Sequence, residues 1–128
     1  MAEGYVIGHD VGTGGNKAAL ASIDGELIAS AFKPYPVYHP RSNWAEQEPR
    51  HWWQAVAEST AELVEMSGVD TRQVIGLGFA GQMLGVVPMN SSGKPLRRAI
   101  IWLHSRADEQ AERIIRRFGG KRVVINVA

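Results

Sequence analysis

The chain has 128 residues, of which 45% are hydrophobic and 21% are charged, and its formal net charge is +1 at pH 7. A chain of this length forms one domain at most. The nearly balanced charge gives no support for a nucleic-acid or anionic-membrane partner. Because the sequence has no cysteine, it excludes disulfides and thiolate metal sites and is compatible with a reducing cytoplasm.

We expect neither a targeting segment nor a membrane-spanning segment in residues 1–128. No apolar run approaches the length needed to cross a bilayer. Residues 1–4 (MAEG) lead directly into an apolar stretch, without the basic and apolar regions of a secretion signal. We therefore expect a cytoplasmic protein with no membrane partner.

A glycine-rich stretch near the start carries the most information. Residues 10–17 (DVGTGGNK) lie between two apolar runs, at 5–7 and 18–23, which predicts a strand, a tight turn and a second strand in a β-hairpin. Glycines in the turn permit positive φ and let a ligand approach the backbone N–H groups. Successive N–H groups form an anion-binding nest, to which Thr13 and Lys17 would add a hydroxyl and a positive charge.

Asp10 lies at the end of the first predicted strand and points to the same place. A carboxylate beside a phosphate nest repels phosphate unless a cation lies between them, so the pattern favours a Mg²⁺-nucleotide. The stretch is not a Walker A loop, because Lys17 lacks the preceding glycine and is followed by Ala18. It is not the dinucleotide fingerprint either, since a strand follows the turn. The alternative interpretation is that these residues form a hairpin turn without a binding function.

The middle of the chain predicts a third strand and a long helix. An Asp-Gly pair at 24–25 is a hairpin turn signal, and residues 26–35 alternate as a strand before a proline-rich loop. Pro49 suits the first position of a helix and Gly68 its end. The helix between them has one apolar face, and we expect its adjacent tryptophans at 52–53 to pack in the core.

Residues 74–79 (VIGLGF) form an almost unbroken apolar run, which predicts a central strand buried on both faces. The run ends in residues 80–85 (AGQMLG), and strand ends are where open α/β sheets hold ligands. Gln82 can donate and accept hydrogen bonds, as a sugar hydroxyl requires, and Met83 offers an adaptable apolar wall. The alternative is a turn with a capping glutamine.

The last third of the chain predicts two short strands and a second helix. Residues 86–89 and 96–102 are expected to form strands joined by a turn at 90–93. A helix follows, with alanine, isoleucine and phenylalanine on one face between 107 and 118, and a double glycine ends it. Residues 121–128 begin another apolar segment.

Four of these stretches together resemble the FGGY carbohydrate kinases of the actin/hexokinase/Hsp70 superfamily. Residues 10–17 resemble the first phosphate motif of the superfamily. Residues 44–53 (WAEQEPRHWW) resemble a W-x-E-Q-x-P segment followed by a W-W pair. Residues 80–85 resemble the A-G-Q-M-H-G motif of xylulokinases, and residues 100–106 (IIWLHSR) resemble the I-L-W-x-D-x-R stretch of the family.

The resemblance implies an α/β fold of the ribonuclease-H-like, actin-like ATPase type, with a mixed sheet that opens with three antiparallel strands and is incomplete. FGGY kinases have two such domains with the active site between them. The similarity covers the opening part of the first domain, so we expect residues 1–128 to be an N-terminal fragment of it. The family's general-base aspartate, in a G-G-x-D-N type stretch, is not among these residues. The chain alone is therefore expected to be inactive, and a homodimer of the full-length protein is compatible with the resemblance.

The resemblance also implies phosphorylation of a sugar with ATP and Mg²⁺, with a ketopentose such as D-xylulose as the first expectation. Asp10 would position the nucleotide and hold the metal ion. The residues implied to bind the phosphates are Gly12, Thr13, Gly14, Gly15 and Lys17. The residues implied to contact the sugar are Gln82, Met83, Leu84, Trp102, His104 and Arg106.

Three positions depart from the family pattern. Leu84 stands where the family has histidine, and leucine cannot hydrogen-bond a hydroxyl. His104 stands where the family has aspartate, and its alternative role is a helix-start residue that faces solvent. His9 replaces isoleucine. Because neighbours on a strand point to opposite sides, we expect it to face away from Asp10.

Two other functions remain as alternatives. A non-catalytic sugar- or nucleotide-binding module of the same fold is favoured by Leu84 and His104. A ribonuclease-H-like nuclease shares the three-strand opening and the early aspartate, but it needs further carboxylates around two metal ions. Residues 74–79 carry none, and the basic charge expected for nucleic-acid binding is absent.

Overall fold

The computed structural model describes residues 4–120, so the predicted apolar segment at 121–128 lies outside the described residues. The described part is a mixed α/β arrangement of strands, two α-helices and a short 3-10 helix. In chain order the elements are β1 (Tyr5–Val11), β2 (Gly15–Ser22), β3 (Leu27–Pro34), β4 (Glu46–Gln47), α1 (Pro49–Ser67), the 3-10 helix (Thr71–Gln73), β5 (Val74–Gly81), β6 (Ala99–Ile100) and α2 (Asp108–Arg117).

Four strands form the main sheet, in the order β3-β2-β1-β5. β2 is antiparallel to both β1 and β3, whereas β5 is parallel to β1. A parallel neighbour needs a crossover connection, and α1 lies in that connection. The arrangement confirms the predicted ribonuclease-H-like sheet that opens with three antiparallel strands. As a result, the turn between β1 and β2 lies beside the carboxyl end of β5.

α1 covers one face of this sheet. Pro49 begins the helix, and Gly68 ends it with φ of 65° while its N–H donates to the carbonyl of Val64 at 3.0 Å, as the sequence predicts. The buried residues of the helix are Ala55, Val56, Ser59 and Leu63. The main core cluster consists of Ile7, Ala18, Leu20, Ala31 and Leu63.

The expectation that both adjacent tryptophans pack in the core is wrong for Trp53, which is 72% exposed. Successive helix residues are rotated by about 100°, so Trp52 falls on the stripe that contains Leu63, whereas Trp53 falls beside it. Trp52 is half-buried, and its Nε1 donates to Oε1 of Gln47 at 3.2 Å. The rotation of the helix therefore decides which of the two indoles is covered.

β5 is an edge strand in the described part of the chain, which contradicts the prediction of a central strand buried on both faces. Ile75, Leu77 and Phe79 lie on the face that carries α1 and are 68%, 58% and 61% exposed. The reason is that α1 packs over β2 and β3 and leaves β5 uncovered. An apolar run thus establishes hydrophobic character without specifying what covers it.

The two strands predicted at 86–89 and 96–102 are shorter in the structure. Of these residues, only β6 forms a strand, and it pairs with β4. Isolated bridges join Val86 to Ile100 and Met89 to Pro95. Pro88 and Pro95 have no N–H to donate to a continuous ladder. The predicted hairpin is therefore a loosely paired connection.

α2 confirms the predicted second helix and its glycine end, because Gly119 and Gly120 have φ of 87° and 102°. Its predicted apolar face is uncovered within the described residues, and Ile114 and Phe118 are 54% and 62% exposed. Within residues 4–120, neither helix has both the length and the apolar composition that crossing a membrane requires.

Replacing Leu63 with alanine is expected to lower the free energy of unfolding by about 2–5 kcal/mol, because its side chain is fully buried in the core. Urea denaturation followed by circular dichroism measures the change. The matched control is Met66→Ala on the same helix, which is 62% exposed and is expected to change the free energy by less than about 0.5 kcal/mol. Equal effects of the two substitutions would contradict this packing of α1.

Candidate active site

The turn between β1 and β2 is a closed loop that Tyr35 holds in place. Within the turn, the N–H of Gly12 donates to the carbonyl of Gly15 at 3.0 Å. The hydroxyl of buried Tyr35 donates to the carbonyl of Gly12 at 2.6 Å. The backbone N–H of Tyr35 donates to the carbonyl of Gly14 at 3.4 Å. Burial, followed by the negative charge of Asp10, raises the pKa of Tyr35 to about 12. The hydroxyl therefore keeps the proton with which it holds the turn.

The turn glycines are not needed for positive φ, which the sequence had suggested, and one of them, Gly15, is needed for close packing. Gly12, Gly14 and Gly15 all have negative φ or extended backbone. A Cβ added to Gly15 would lie 2.6 Å from the carbonyl oxygen of Lys33 and 2.6 Å from the ring of Phe32, so glycine is needed for the approach of β3. A Cβ added to Gly14 would have no atom within 4 Å, which leaves room there for a ligand.

Two backbone N–H groups of the turn are free to bind a ligand. Those of Thr13 and Gly14 have no hydrogen-bond partner among residues 4–120. The side chain of Asp10 is exposed at the end of β1, and the strand register places Lys17 directly opposite. No ion pair joins Asp10 and Lys17 in the described part of the chain, so both charges are available to a ligand.

These groups fit a magnesium nucleotide. Mg²⁺ is usually bound by one or two carboxylates together with the phosphates of a nucleotide. Asp10 supplies one carboxylate, and the free N–H groups with Lys17 supply partners for phosphate oxygens. The residues that the structure describes contain no cluster of three or more His, Cys, Asp or Glu side chains that would hold a metal ion alone. A cation here would therefore be shared between Asp10 and the phosphates.

Gln47 connects the turn to the end of β5, although the sequence did not identify it as a site residue. It is 1% exposed. Its Nε2 donates to the carbonyl oxygen of Thr13 at 2.7 Å. Its Oε1 accepts from Nε2 of Gln82 at 2.6 Å and from Nε1 of Trp52 at 3.2 Å. The available signal was the W-x-E-Q-x-P resemblance, which includes Gln47 but gives it no role.

Thr13, Gln82 and Trp102 are joined by hydrogen bonds of their own. Oγ1 of Thr13 donates to Oε1 of Gln82 at 3.3 Å and accepts from Nε1 of Trp102 at 2.9 Å. Nε2 of Gln82 also lies 3.5 Å from the carbonyl oxygen of Gly12. The backbone N–H of Gln82 donates to the carbonyl oxygen of Val11 at 3.0 Å. The fold thus brings together residues that lie 69 and 89 positions apart in the sequence.

These residues line a cleft of about 360 Å³ at the carboxyl ends of β1 and β5. Its walls are formed by Asp10, Gly12, Thr13, Gly81, Gln82, Met83, Leu84 and Trp102. The cleft therefore contains the predicted metal ligand, two of the predicted phosphate contacts and four of the predicted sugar contacts.

Leu84 has a left-handed backbone with φ of 60°, which no other non-glycine residue in the described chain adopts. A left-handed conformation costs a residue with a Cβ roughly 1–2 kcal/mol. Leu84 and the neighbouring Met83 are 84% and 78% exposed at the cleft. Strain of this kind is concentrated at binding and catalytic sites, and no pattern in the sequence signals it.

Arg106, also predicted as a sugar contact, belongs to a cluster beside the cleft. Its guanidinium donates to Oε1 of buried Glu46 at 2.9 Å and lies 3.8 Å from the ring centroid of Trp44. Arg97 pairs with the same carboxylate. The cluster holds β4 in place, and the role of Arg106 at the sugar stays a prediction.

His104 does not line the cleft either. It is half-buried, and its Nδ1 lies 2.7 Å from the carbonyl oxygen of Ile101, to which it donates. This hydrogen bond fixes the ring in place, whereas a side chain that faced solvent would be free to rotate. Its contact with the sugar also stays a prediction.

His9 faces away from Asp10, as predicted, and is 3% exposed behind the turn. Its Nδ1 accepts from the side-chain amide of Asn16 at 3.1 Å, and its Nε2 lies 3.3 Å from Oγ1 of Thr60. The same amide donates to Oγ of Ser59 at 2.8 Å. With Nδ1 as an acceptor, the proton of the ring is on Nε2 and the imidazole is neutral.

Burial lowers the pKa of His9, and the hydrogen bond from Asn16 opposes that shift without cancelling it. The unfolded chain therefore binds a proton at this position more readily than the folded chain does. Stability is expected to fall as the pH drops below the ordinary histidine pKa of about 6.5. Urea unfolding at intervals from about pH 7 to about pH 5 measures this loss.

The variant His9→Gln keeps an amide for hydrogen bonding but does not titrate, so part of the pH dependence should disappear. The matched control is Gln54→Ala at an exposed position, which removes no titratable group and should keep the wild-type slope. Indistinguishable slopes for wild type and His9→Gln would contradict the buried neutral state of this histidine.

Comparison with known proteins agrees with the geometry of the cleft. The model of the FGGY family of carbohydrate kinases, N-terminal domain, matches residues 5–126. The xylulose kinase of Bacillus subtilis (strain 168) is 36% identical over 115 residues, which are 90% of this chain and 23% of that protein.

Solved structures have the same fold. A gluconate kinase from Lactobacillus acidophilus matches with a TM-score of 0.83 and 28% identity, over 90% of this chain and 23% of its own. A ligand-bound xylulose kinase from the same organism matches with a TM-score of 0.82 and 28% identity, over 88% of this chain and 22% of its own. The chain thus spans less than a quarter of the length of these proteins.

Proposed function

The chain belongs to the FGGY family of carbohydrate kinases, and on this premise we propose that the whole protein transfers the terminal phosphoryl group of ATP to a hydroxyl group of a sugar. The observation that carries the proposal is that Asp10 lines the cleft together with Thr13, in a turn where the N–H groups of Thr13 and Gly14 have no partner among residues 4–120. In phosphoryl transfer a protein mainly positions groups and neutralises charge. This arrangement is suited to both tasks.

Each group of the turn and of the cleft has a proposed role. The N–H groups of Thr13 and Gly14 bind phosphate oxygens, and Lys17 adds a positive charge on the face of the hairpin that carries Asp10. Asp10 holds Mg²⁺ directly or through water, and Mg²⁺ bound with the nucleotide offsets the charge on the phosphates. The acceptor sugar lies against the wall formed by Gln82, Met83, Leu84 and Trp102, with His104 and Arg106 as further predicted contacts.

We propose further that residues 1–128 are the opening part of the first of two domains. The chain spans 23% of the length of the Bacillus subtilis relative, and the expected general-base aspartate is not among its residues. The base and most of the adenosine pocket would then come from the remainder of the protein. This chain by itself is expected to have no useful kinase activity.

For the acceptor we propose in the first place a ketopentose such as D-xylulose. The support is the 36% identity with a xylulose kinase over 90% of this chain, together with residues 80–83 (AGQM) at the cleft. A gluconate kinase is structurally as similar to the chain as a xylulose kinase is. Similarity of fold therefore does not distinguish between these two acceptors.

Replacing Asp10 with asparagine in the whole protein is expected to lower kcat on the order of 100-fold, because the cation loses its charged ligand. Release of ADP in the presence of sugar measures the effect. The control is Asp24→Asn at an exposed turn position, which should leave the rate unchanged. Activity of Asp10→Asn within about twofold of wild type would contradict the proposed role.

Gln47 is proposed as a positioning residue. Gln47→Ala is expected to raise KM for ATP about 10-fold, because the carbonyl of Thr13 loses its partner and the turn is displaced. The control is Gln54→Ala, whose exposed side chain donates a hydrogen bond to Glu58 on the same helix. If Gln47 served folding alone, the folded fraction of the variant would keep the wild-type KM.

A non-catalytic binding module of the same fold is the second candidate. Leu84 favours it, because a leucine at the cleft supplies no hydrogen bond to a sugar hydroxyl. Titration calorimetry separates the two candidates. A whole protein that binds sugar or nucleotide and releases no ADP with any sugar would establish the binding module.

A further inference from the structure

We propose that the side-chain hydroxyl of Thr13 positions the acceptor wall of the cleft and binds no phosphate, so that only the backbone N–H of this residue serves the nucleotide. Thr13 is thus a positioning residue for the sugar, whereas the resemblance of residues 10–17 to a phosphate motif implied a phosphate contact. The proposal rests on the proposed kinase function and specifies how its acceptor side is held. It follows from the direction of the hydrogen bonds around the hydroxyl.

The indole of Trp52 fixes the orientation of the Gln47 amide. An indole N–H can only donate, so the amide atom that lies 3.2 Å from Nε1 of Trp52 is the oxygen. The amide nitrogen of Gln47 is then left to donate to the carbonyl oxygen of Thr13 at 2.7 Å. Turning the amide over would set its nitrogen against the indole N–H and its oxygen against the carbonyl oxygen, which loses both bonds. The polarity of this amide is therefore determined by partners that cannot reverse.

The same rule then fixes the amide of Gln82 and the hydroxyl of Thr13. Oε1 of Gln47 is an acceptor, so the atom of Gln82 that lies 2.6 Å from it is Nε2. Oε1 of Gln82 consequently lies 3.3 Å from Oγ1 of Thr13 and needs a donor there. On its other side the hydroxyl meets Nε1 of Trp102 at 2.9 Å, which can only donate. The hydroxyl must therefore donate to Gln82 and accept from Trp102.

A phosphate oxygen cannot use the hydroxyl in this state. A hydroxyl has a single proton to donate, and ionised phosphate oxygens only accept. A bond to phosphate would take the proton from Oε1 of Gln82 and leave that oxygen without its donor. The backbone N–H groups of Thr13 and Gly14 have no partner among residues 4–120, so the turn has donors for phosphate that cost no existing bond.

The hydroxyl instead holds the indole of Trp102 at the cleft. Trp102 lies 89 positions further along the chain, and its side chain has one N–H to donate. That bond ends on Thr13, so the hydroxyl sets where the edge of the ring lies in the wall. The same oxygen holds Oε1 of Gln82. Loss of the hydroxyl therefore releases both wall residues and leaves the backbone N–H groups of the turn in place.

The test is the variant Thr13→Val in the whole gene product, which keeps the branched shape of the side chain and removes the hydroxyl. Calorimetry measures binding of two probes: the tightest-binding sugar of a panel of ketoses and polyols, and a non-hydrolysable ATP analogue with Mg²⁺. The sugar Kd is expected to rise about 10-fold, the equivalent of one hydrogen bond, and the nucleotide Kd to stay within about twofold. Thr13→Ser keeps the hydroxyl and should restore sugar binding. The matched control is Thr71→Val at an exposed position, which should change neither constant.

The variant Trp102→Phe tests the bond from its other end, because it removes the indole N–H. Combined with Thr13→Val, it should weaken sugar binding by less than the product of the two single effects, since both substitutions remove the same bond. Single effects that multiply in the double variant would overturn the inference.

The outcome for the hydroxyl is separate from the outcome for the kinase function. If the nucleotide Kd of Thr13→Val rises about 10-fold, or its sugar Kd stays within about twofold of wild type, the inference is overturned while the kinase function stands. Release of ADP with the same sugar tests the kinase function: if none is released, the proposed function fails, and the two binding constants still decide the role of the hydroxyl. A panel without any bound sugar would overturn both, since the cleft would then have no acceptor wall.

Discussion

The side-chain amide of Gln47 is the contact on which the geometry of the cleft depends. Its donor holds the turn through the carbonyl of Thr13, and its acceptor holds Gln82 at the end of β5. An amide suits this place because it carries donors and an acceptor in one rigid plane. Since Gln47 is buried, its loss would leave polar groups unpaired at about 1–3 kcal/mol each.

The support for this amide extends away from the cleft. Gln47 belongs to β4, a strand of two residues that is too short to be stable by itself. The neighbouring Glu46 is held by two arginines, Arg97 and Arg106, and β4 pairs with β6. The predicted sugar residue Arg106 thus acts in the structure as an anchor of the strand that presents Gln47.

Local signals in the sequence were sufficient to predict the elements that define the site. The glycine-rich stretch with flanking apolar runs predicted the β1–β2 hairpin, and Pro49 and Gly68 marked the ends of α1. Each of these signals acts within a few residues of the chain, where turn and cap chemistry is decisive. That His9 and Asp10 point to opposite faces of the sheet followed from the alternation of side chains along a strand.

Features that depend on distant partners were predicted poorly. The role of Gln47 was missed because its partners Thr13 and Gln82 lie 34 and 35 positions away. The exposure of β5 depends on where α1 packs, which the apolar run at 74–79 does not encode. The need for glycine at residue 15 comes from the approach of β3, a contact between strands and not a property of the turn.

Among residues 4–120, β5 is an edge strand, and this position has a practical consequence for solubility. Its sequence, VIGLGFAG, contains neither the charged residues nor the proline with which proteins commonly protect a free strand edge. Unpaired backbone groups along an apolar edge are a template for pairing with another copy of the same strand. Purified alone, residues 4–120 would therefore tend to self-associate through β5. Aggregation would then limit the protein concentration at which they could be studied.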